Sequence, residues 1–404
     1  MSMGKAPSAL TADLALPREE RSAMTEYLRR LVRTPSVSTK EGAVANLVEA
    51  ELAAVGVEDV GRDSMGNVIA RLGSPGGPTL VYNAHLDTVG ATNAGWAEDP
   101  FAARVDGEVL YGLGACDAKG SLAAMTYAAG RLAQLDALQG QLVLAFVVQQ
   151  ETCEGLGIRA VVEEGGFQPD WVVLGDPTDM QISRGQRGRV RLRVTTHGRA
   201  CHAARPDLGQ NAIVGAARLI FGIDMLTAEM HDDPFLGPGS VAVTHIESQE
   251  ASLSAIPDEC TFYADRRLTL GETATMALAE IERIIATERV QAEVEVTEYH
   301  ARSYTGKVCS GREAFNAWGL EAEHPLVASL SEVVRRALGY EARLTHWHFS
   351  TDGVYTMGEA GIPTVGFGPG NPDHAHSVED QVRLDDVANA AHVYAALGAH
   401  LLGG

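Results

Sequence analysis

Val81-Tyr82-Asn83-Ala84-His85-Leu86-Asp87-Thr88 is an apolar strand that ends in His-x-Asp. Side chains alternate along a strand, so His85 and Asp87 point to the same side at its carboxyl end. Working outward, apolar strands are expected near 66–72, 78–83, 141–148 and 171–175. Helical segments fall near 18–33, 41–55 and 119–136 between them. Leu16-Pro17-Arg18-Glu19-Glu20 opens the first of these, with proline and acids in the first turn. Strands that are apolar almost throughout, alternating with helices, signify a layered α/β sheet covered on both faces.

The texture changes near Gly188. Val190, Leu192 and Val194 alternate with arginines, the pattern of a half-exposed strand. A helix at about 210–230, strands near 240–247 and 259–268, a helix at about 272–288 and a strand near 291–299 follow. The order β-α-β-β-α-β is that of a ferredoxin-like split βαβ unit. The α/β pattern then resumes with a helix at 325–338, strands near 342–347 and 363–367, and a helix at 384–402. This implies an α/β, mixed-sheet domain (1–187 and 300–404) with a smaller ferredoxin-like α+β domain (188–299) inserted into it. The first 15 or so residues read as a loose leader. The sequence contains no internal repeat and no low-complexity segment.

A length of 404 residues suits two or three domains. Hydrophobic residues are 45% and charged residues 21%, which excludes global disorder, collagen and coiled coil. Lys plus Arg is 32 and Asp plus Glu is 53, so the net charge is −21 and a nucleic-acid partner is not expected. The cysteines, at 116, 153, 201, 260 and 309, are dispersed and form no C-x-x-C pair. That argues against a disulfide framework and fits a reducing cytoplasm. No signal peptide is evident. The longest apolar run, near Leu142–Val148, is too short to cross a bilayer, so no membrane partner is expected.

Three acids share the placement of His85 at strand ends. Asp117 sits in the glycine-rich Gly112-Leu113-Gly114-Ala115-Cys116-Asp117-Ala118-Lys119-Gly120, ahead of a helix. Glu151 follows strand 141–148, and Asp176 follows Trp171–Gly175. Open α/β sheets place their sites at strand carboxyl ends. Any one of these acids alone reads as a cap or turn residue, but four such positions together are harder to dismiss. Gly366-Phe367-Gly368-Pro369-Gly370-Asn371-Pro372-Asp373-His374-Ala375-His376-Ser377 adds a loop with two histidines. A set of His, Asp, Glu, Asp and His is what a two-metal site uses, and imidazole with carboxylate points to zinc, then manganese or cobalt. His346 and His348, flanking Trp347, take a structural reading, and His231, His245, His300, His392 and His400 a surface or packing one.

The motifs NAHLDTV, GLGACDAKG, VVQQETCEGLG, LGDPT, HGRACHAARPDLGQNAI, ADRRLTLGET, FSTDG and GFGPGNPDHAHS together resemble the co-catalytic zinc aminoacylase and carboxypeptidase family. That family includes acetylornithine deacetylase, succinyl-diaminopimelate desuccinylase and glutamate carboxypeptidase. The resemblance covers the chain from about residue 20 to its end. It implies a two-metal hydrolase acting on a small N-acyl amino acid, short peptide or related carboxylate-bearing amide. His85, Asp117, Glu151, Asp176 and His376 match its metal ligands, with Asp117 as the bridge. Asp87 matches the acid that orients the first histidine. His202 matches a histidine, often given by a partner subunit, that stabilises the tetrahedral intermediate, so the resemblance implies a homodimer through the lid. Arg267 matches the arginine that grips a substrate carboxylate. Asn211, Ser350 and Gly368, in the matching motifs, are further substrate-contact candidates.

Two departures stand out. The family's general base is the first acid of a Glu-Glu pair, and this sequence has Gln150 there. An amide cannot accept the proton of a nucleophilic water. Three readings stand: a deliberate Glu→Gln change, another base such as Glu154, or a metal-binding relative with little hydrolytic activity. Ser254-Ala255-Ile256-Pro257 replaces the Asn-Val-Ile-Pro of many relatives.

Overall fold

The computed structural model describes residues 14–91, 95–135, 138–249 and 252–403. The expected leader falls almost wholly at 1–13, outside the described residues. Thr79–His85 is a strand with all seven residues buried. It pairs in parallel with Gln141–Val147 on one side and Trp171–Leu174 on the other. These strands lie near the middle of a nine-stranded mixed sheet. Asp59–Arg62 and Val68–Gly73 extend it antiparallel beyond Gln141–Val147. Thr364–Gly366, Ile182–Gln186 and Leu344–Trp347 extend it beyond Trp171–Leu174.

Alternation along these strands feeds two cores. Leu80, Tyr82, Leu142, Leu144, Phe146 and Val173 pack with Leu28 and Leu31 of helix Arg18–Arg33, and with the helices Gly120–Ala133 and Leu384–Leu402. Val81, Val143, Val147, Val172 and Leu174 face Ile158 and Val161 of helix Leu156–Glu164, with Trp318 and Trp347. Burying a large aliphatic side chain contributes about 1.5–3 kcal/mol, so two covered faces fix the register that sets His85 at the strand end.

A second sheet runs in the order Ser240–Gln249, Glu259–Leu268, Gly188–His197, Ala292–Val296, antiparallel throughout. That is the ferredoxin-like order. Its helices, Ala212–Leu226 and Ala274–Glu288, cover one face through Leu219, Ile223, Ile281 and Ile284. Asn211 and Thr273 cap them by accepting from the Val214 and Met276 amides. Ala314–Phe315 also joins this sheet, beside Gly188–His197.

The fold holds elements the sequence pattern did not suggest. Leu156–Glu164 is a nine-residue helix launched from Gly155 at φ +79°, and its glycine-rich start masks the period. Ile182–Gln186 reads Ile-Ser-Arg-Gly-Gln, too polar for an expected strand, yet it is an inner strand of the large sheet. The strand expected at 291–299 breaks at Thr297, whose amide and hydroxyl both donate to the Arg191 carbonyl. Beyond the break, Glu298–Arg302 forms a separate hairpin with Val308–Arg312.

Candidate metal centre

His85 ends its strand with both ring nitrogens engaged. Nδ1 lies 2.8 Å from the Asp87 main-chain carbonyl, and Nε2 lies 2.9 Å from Asp117 Oδ1. The resemblance gave the orienting task to the Asp87 carboxylate. Its nearest carboxylate oxygen is instead 3.7 Å from Nδ1, so the main-chain oxygen makes the closer contact. The buried Asp87 carboxylate accepts from the Gln150 and Glu151 amides, each at 3.1 Å, and from the Ser38 hydroxyl at 2.6 Å. Asp87 thus ties the end of strand 79–85 to the turn after strand 141–147.

Asp117 sits in a turn held from outside. Gly114, at φ +83°, and Cys116 donate their amides to the buried Asp380 carboxylate at 2.6 and 2.9 Å. Asp380 follows the His376 loop, so one side chain joins two site-bearing segments. His376 Nε2 lies 2.9 Å from Glu151 Oε2 and 3.4 Å from Asp117 Oδ2. Hydrogen bonds to Asp117 and Glu151 push the His376 imidazole up to about 10. Burial raises Glu151, while His376 and His85 hold Asp117 well below the usual carboxylate range.

His85, Asp117 and Glu151 bring ligand atoms within 4.8 Å of one another, and His376 touches both acids. Asp176 is buried nearby, and its Oδ1 accepts from Gln150 Nε2 at 3.4 Å. Burial pushes its carboxyl up to about 8. One Glu151 oxygen, Oε1, is buried without a partner. A buried unpaired carboxylate oxygen is costly unless a cation meets it. Two imidazoles and three carboxylates, one of them carrying that orphaned oxygen, are a donor set suited to borderline divalent ions.

A cavity of about 260 Å³ opens on this group, lined by Asp117, Gln150, Glu151, Asp176 and His376, with Glu154, Arg189, Arg267 and Ser350. Ser350 Oγ accepts from Gln186 Nε2. Gly368 lies instead against the main chain: a Cβ there would come within 2.5 Å of the Gly175 and Asp176 carbonyls. His202 is exposed on the short strand Cys201–His202, and Asn211 is the half-buried helix cap. Neither lines this cavity. Sequence reasoning did not single out Asp380, Arg189 or Ser38. Arginine at 189 falls in the alternating strand pattern, but its partner Glu154 lies 35 residues away.

Residues 81–400 match the model of peptidase family M20/M25/M40. The chain belongs to this family. It is a metal-dependent amide hydrolase by that membership. The chain is similar to the uncharacterized protein YgeY of Escherichia coli strain K12, 36% identical over 384 residues and 94% of each chain. It is 30% identical to succinyl-diaminopimelate desuccinylase of Gluconobacter oxydans, over 91% of this chain and 94% of that one. Its fold resembles that of the Bacillus subtilis YXEP protein, described as a dinuclear metal-binding peptidase. The TM-score is 0.69 at 19% identity, over 96% and 99% of the two chains. Family membership agrees with the resemblance read from the motifs and with the mixed sheet carrying a ferredoxin-like unit. Among the described residues, no helix is long and apolar enough to cross a membrane.

Proposed function

We propose that this enzyme hydrolyses the amide bond of a small N-acylated amino acid, short peptide or related amide bearing a free carboxylate. The observation that carries this reading is one cavity shared by Asp117, Glu151, Asp176 and His376 with Arg267, a cation suited to a substrate carboxylate. His85, Asp117, Glu151, Asp176 and His376 would hold two divalent ions, zinc first and manganese or cobalt as alternatives. When bound, such ions polarise a carbonyl and lower the pKa of a water towards about 7.

The chain's own residues do the rest. Asp87, through the Gln150 and Glu151 amides, fixes the turn that carries one ligand and the base position. Gln150 keeps the size and hydrogen bonding of glutamate but takes no proton. Glu154, a second carboxylate on the same cavity, is the acceptor available to this sequence. Its Oε2 is held 2.7 Å from Arg189 Nη2. Arg267, oriented by Asp265 at 2.6 Å, would grip the substrate carboxylate.

Segment 188–299 acts in this reading as a lid and dimerisation unit, with His202 serving the site of a second copy. Exposed Val214, Phe221 and Met225 along helix Ala212–Leu226 support this, as does the outer strand Ser240–Gln249. The free state of the five cysteines supports a cytoplasmic setting. A second reading, a metal-binding relative with little hydrolysis, is favoured by Gln150 alone.

The test is a panel of N-acyl amino acids and dipeptides with zinc, manganese or cobalt, applied to the chain and to Gln150→Glu. Turnover by either supports hydrolysis. Metal-loaded but inert preparations of both would refute it.

A further inference from the structure

The hairpin of Glu298–Arg302 with Val308–Arg312 packs against the turn that carries Gln150 and Glu151. Gln149, the residue before Gln150, is fully buried and holds φ +61°. A residue with a side chain keeps that conformation only where its surroundings impose it. Carboxylates do part of this through the main chain: Glu41 accepts the Gln149 amide at 3.2 Å, and Asp87 accepts the next two amides. The hairpin does the rest through side chains. The Tyr299 hydroxyl donates to Gln149 Oε1 at 2.8 Å, and Gln149 Nε2 faces Cys309 Sγ at 3.9 Å. Thr152, on the far side of Gln150 and Glu151, hydrogen-bonds the same Tyr299 hydroxyl. One phenol thus clasps both shoulders of the segment that carries a candidate ligand and the base position. The packing is close: a Cβ on Gly311, opposite Tyr299 in the hairpin register, would come within 2.8 Å of Cys153 Sγ. Both ends of the hairpin are anchored. At its root Thr297 donates amide and hydroxyl to the Arg191 carbonyl. At its tip Tyr304 donates to the Gly66 carbonyl at 2.8 Å, Thr305 to the Ser64 carbonyl and Lys307 to the Ser64 hydroxyl. Tyr299 therefore stands on a fixed support, and its hydroxyl can hold the turn rather than follow it.

We propose that Tyr299 is a positioning residue for the metal centre: its hydroxyl, acting through Gln149 and Thr152, sets the turn that aims Glu151 at the ions and residue 150 into the cavity. This rests on the reading of Glu151 as a metal ligand. Partners beyond the ligands that fix ligand orientation change metal affinity by roughly 10–100-fold when removed, so the effect is large enough to measure without turnover.

The test uses the full chain, stripped by chelator and titrated with zinc in a calorimeter, then loaded with cobalt(II), whose visible absorption reports ligand geometry. Tyr299→Phe keeps the ring and loses only the hydroxyl. It should weaken zinc binding by about 10-fold at one or both sites and alter the cobalt bands. Tyr304→Phe is the control for a merely structural role. It deletes a bond of the same kind and length from the same hairpin, away from the turn, while Thr305 and Lys307 still pin the tip. Zinc affinity and cobalt bands should be unchanged in it. Gln149→Met removes the same bond from the other end and should reproduce the Tyr299→Phe shift, which keeps the test decisive if Tyr299→Phe does not fold. The double variant should lose little beyond either single change, because both delete one interaction. Unchanged zinc affinity and cobalt bands in either single variant, additive losses in the double variant, or an equal shift in Tyr304→Phe would overturn the proposal and leave Tyr299 as packing, with the metal site intact. If the unaltered chain binds neither zinc nor cobalt, the reading of Glu151 as a ligand falls and the proposal falls with it.

Discussion

Changing Gln150 to Glu restores a proton acceptor to the position where the family's motif carries one. Two effects follow from the geometry. A positioned general base contributes roughly 10²–10⁴-fold, so kcat should rise by at least about 10²-fold, with a smaller change in KM. The second effect concerns charge. Gln150 Nε2 now donates to Asp176 Oδ1 at 3.4 Å. A carboxylate there would face another across that distance. At an effective dielectric of 20, two bare charges so placed repel by about 5 kcal/mol, an upper bound that proton uptake or a bound cation relieves. The metal-free Gln150→Glu protein should therefore unfold at a lower temperature than the parent. Its gain in melting temperature on adding zinc should be larger, because binding to the native state is coupled to stability. Initial rates on the panel at matched metal occupancy, with melting curves before and after chelation, read both effects. If Gln150→Glu is no faster on any substrate at equal occupancy, position 150 is not where the proton goes, and Glu154 becomes the acceptor to test.

Other outcomes follow from residues around the site. Asp380→Asn leaves one of two backbone amides facing an NH2 group, a cost of about 1–3 kcal/mol. At roughly 2–4 °C per kcal/mol, the melting temperature should drop by several degrees, and zinc affinity should weaken because the same turn bears Asp117; an unchanged melting curve would discount the clamp. Burial, then the Asp87 charge, pushes the Glu41 carboxyl from 4.5 up to about 7. The native state therefore holds more protons than the unfolded chain between those values, and Glu41 costs stability as pH rises through that window. Glu41→Gln should match the parent near pH 4 and exceed it at pH 8 by up to roughly 3 kcal/mol in urea unfolding; parallel pH profiles would rule this out. Phe221 and Met225 are 73% and 71% exposed. Replacing both with glutamate should convert a dimer to monomer by light scattering, whereas a monomeric parent at micromolar concentration would reject the lid interface.

Much of this was legible in the sequence because two periods are unambiguous. The largely apolar Thr79–His85 and Gln141–Val147 mark inner strands, and the apolar alternation around Val190–Val194 marks a one-sided sheet, so the ferredoxin-like order is legible along the chain. Site residues at strand ends were legible for the same reason: position on the sheet follows from the strand. What escaped depends on contacts between distant segments. Asp380 holds amides 264 and 266 residues away. Arg189 acquires its meaning only from Glu154 and from the register that sets it against Arg267. Ile182–Gln186 is a strand because its neighbours pair with it, against its own polar composition. The placement of His202 and Asn211 away from the cavity is likewise a matter of how sheets sit in space, which spacing along the chain does not encode.

The claim at the centre is that His85, Asp117, Glu151, Asp176 and His376 form a site for two ions. Chelator-stripped protein titrated with zinc in a calorimeter, with elemental analysis of the dialysed product, tests it directly. The account predicts about two ions per chain, and loss of both in Asp117→Ala, whose carboxylate contacts both histidines. Fewer than one ion per chain in zinc-supplemented protein, or an Asp117→Ala variant that still binds two, would contradict it.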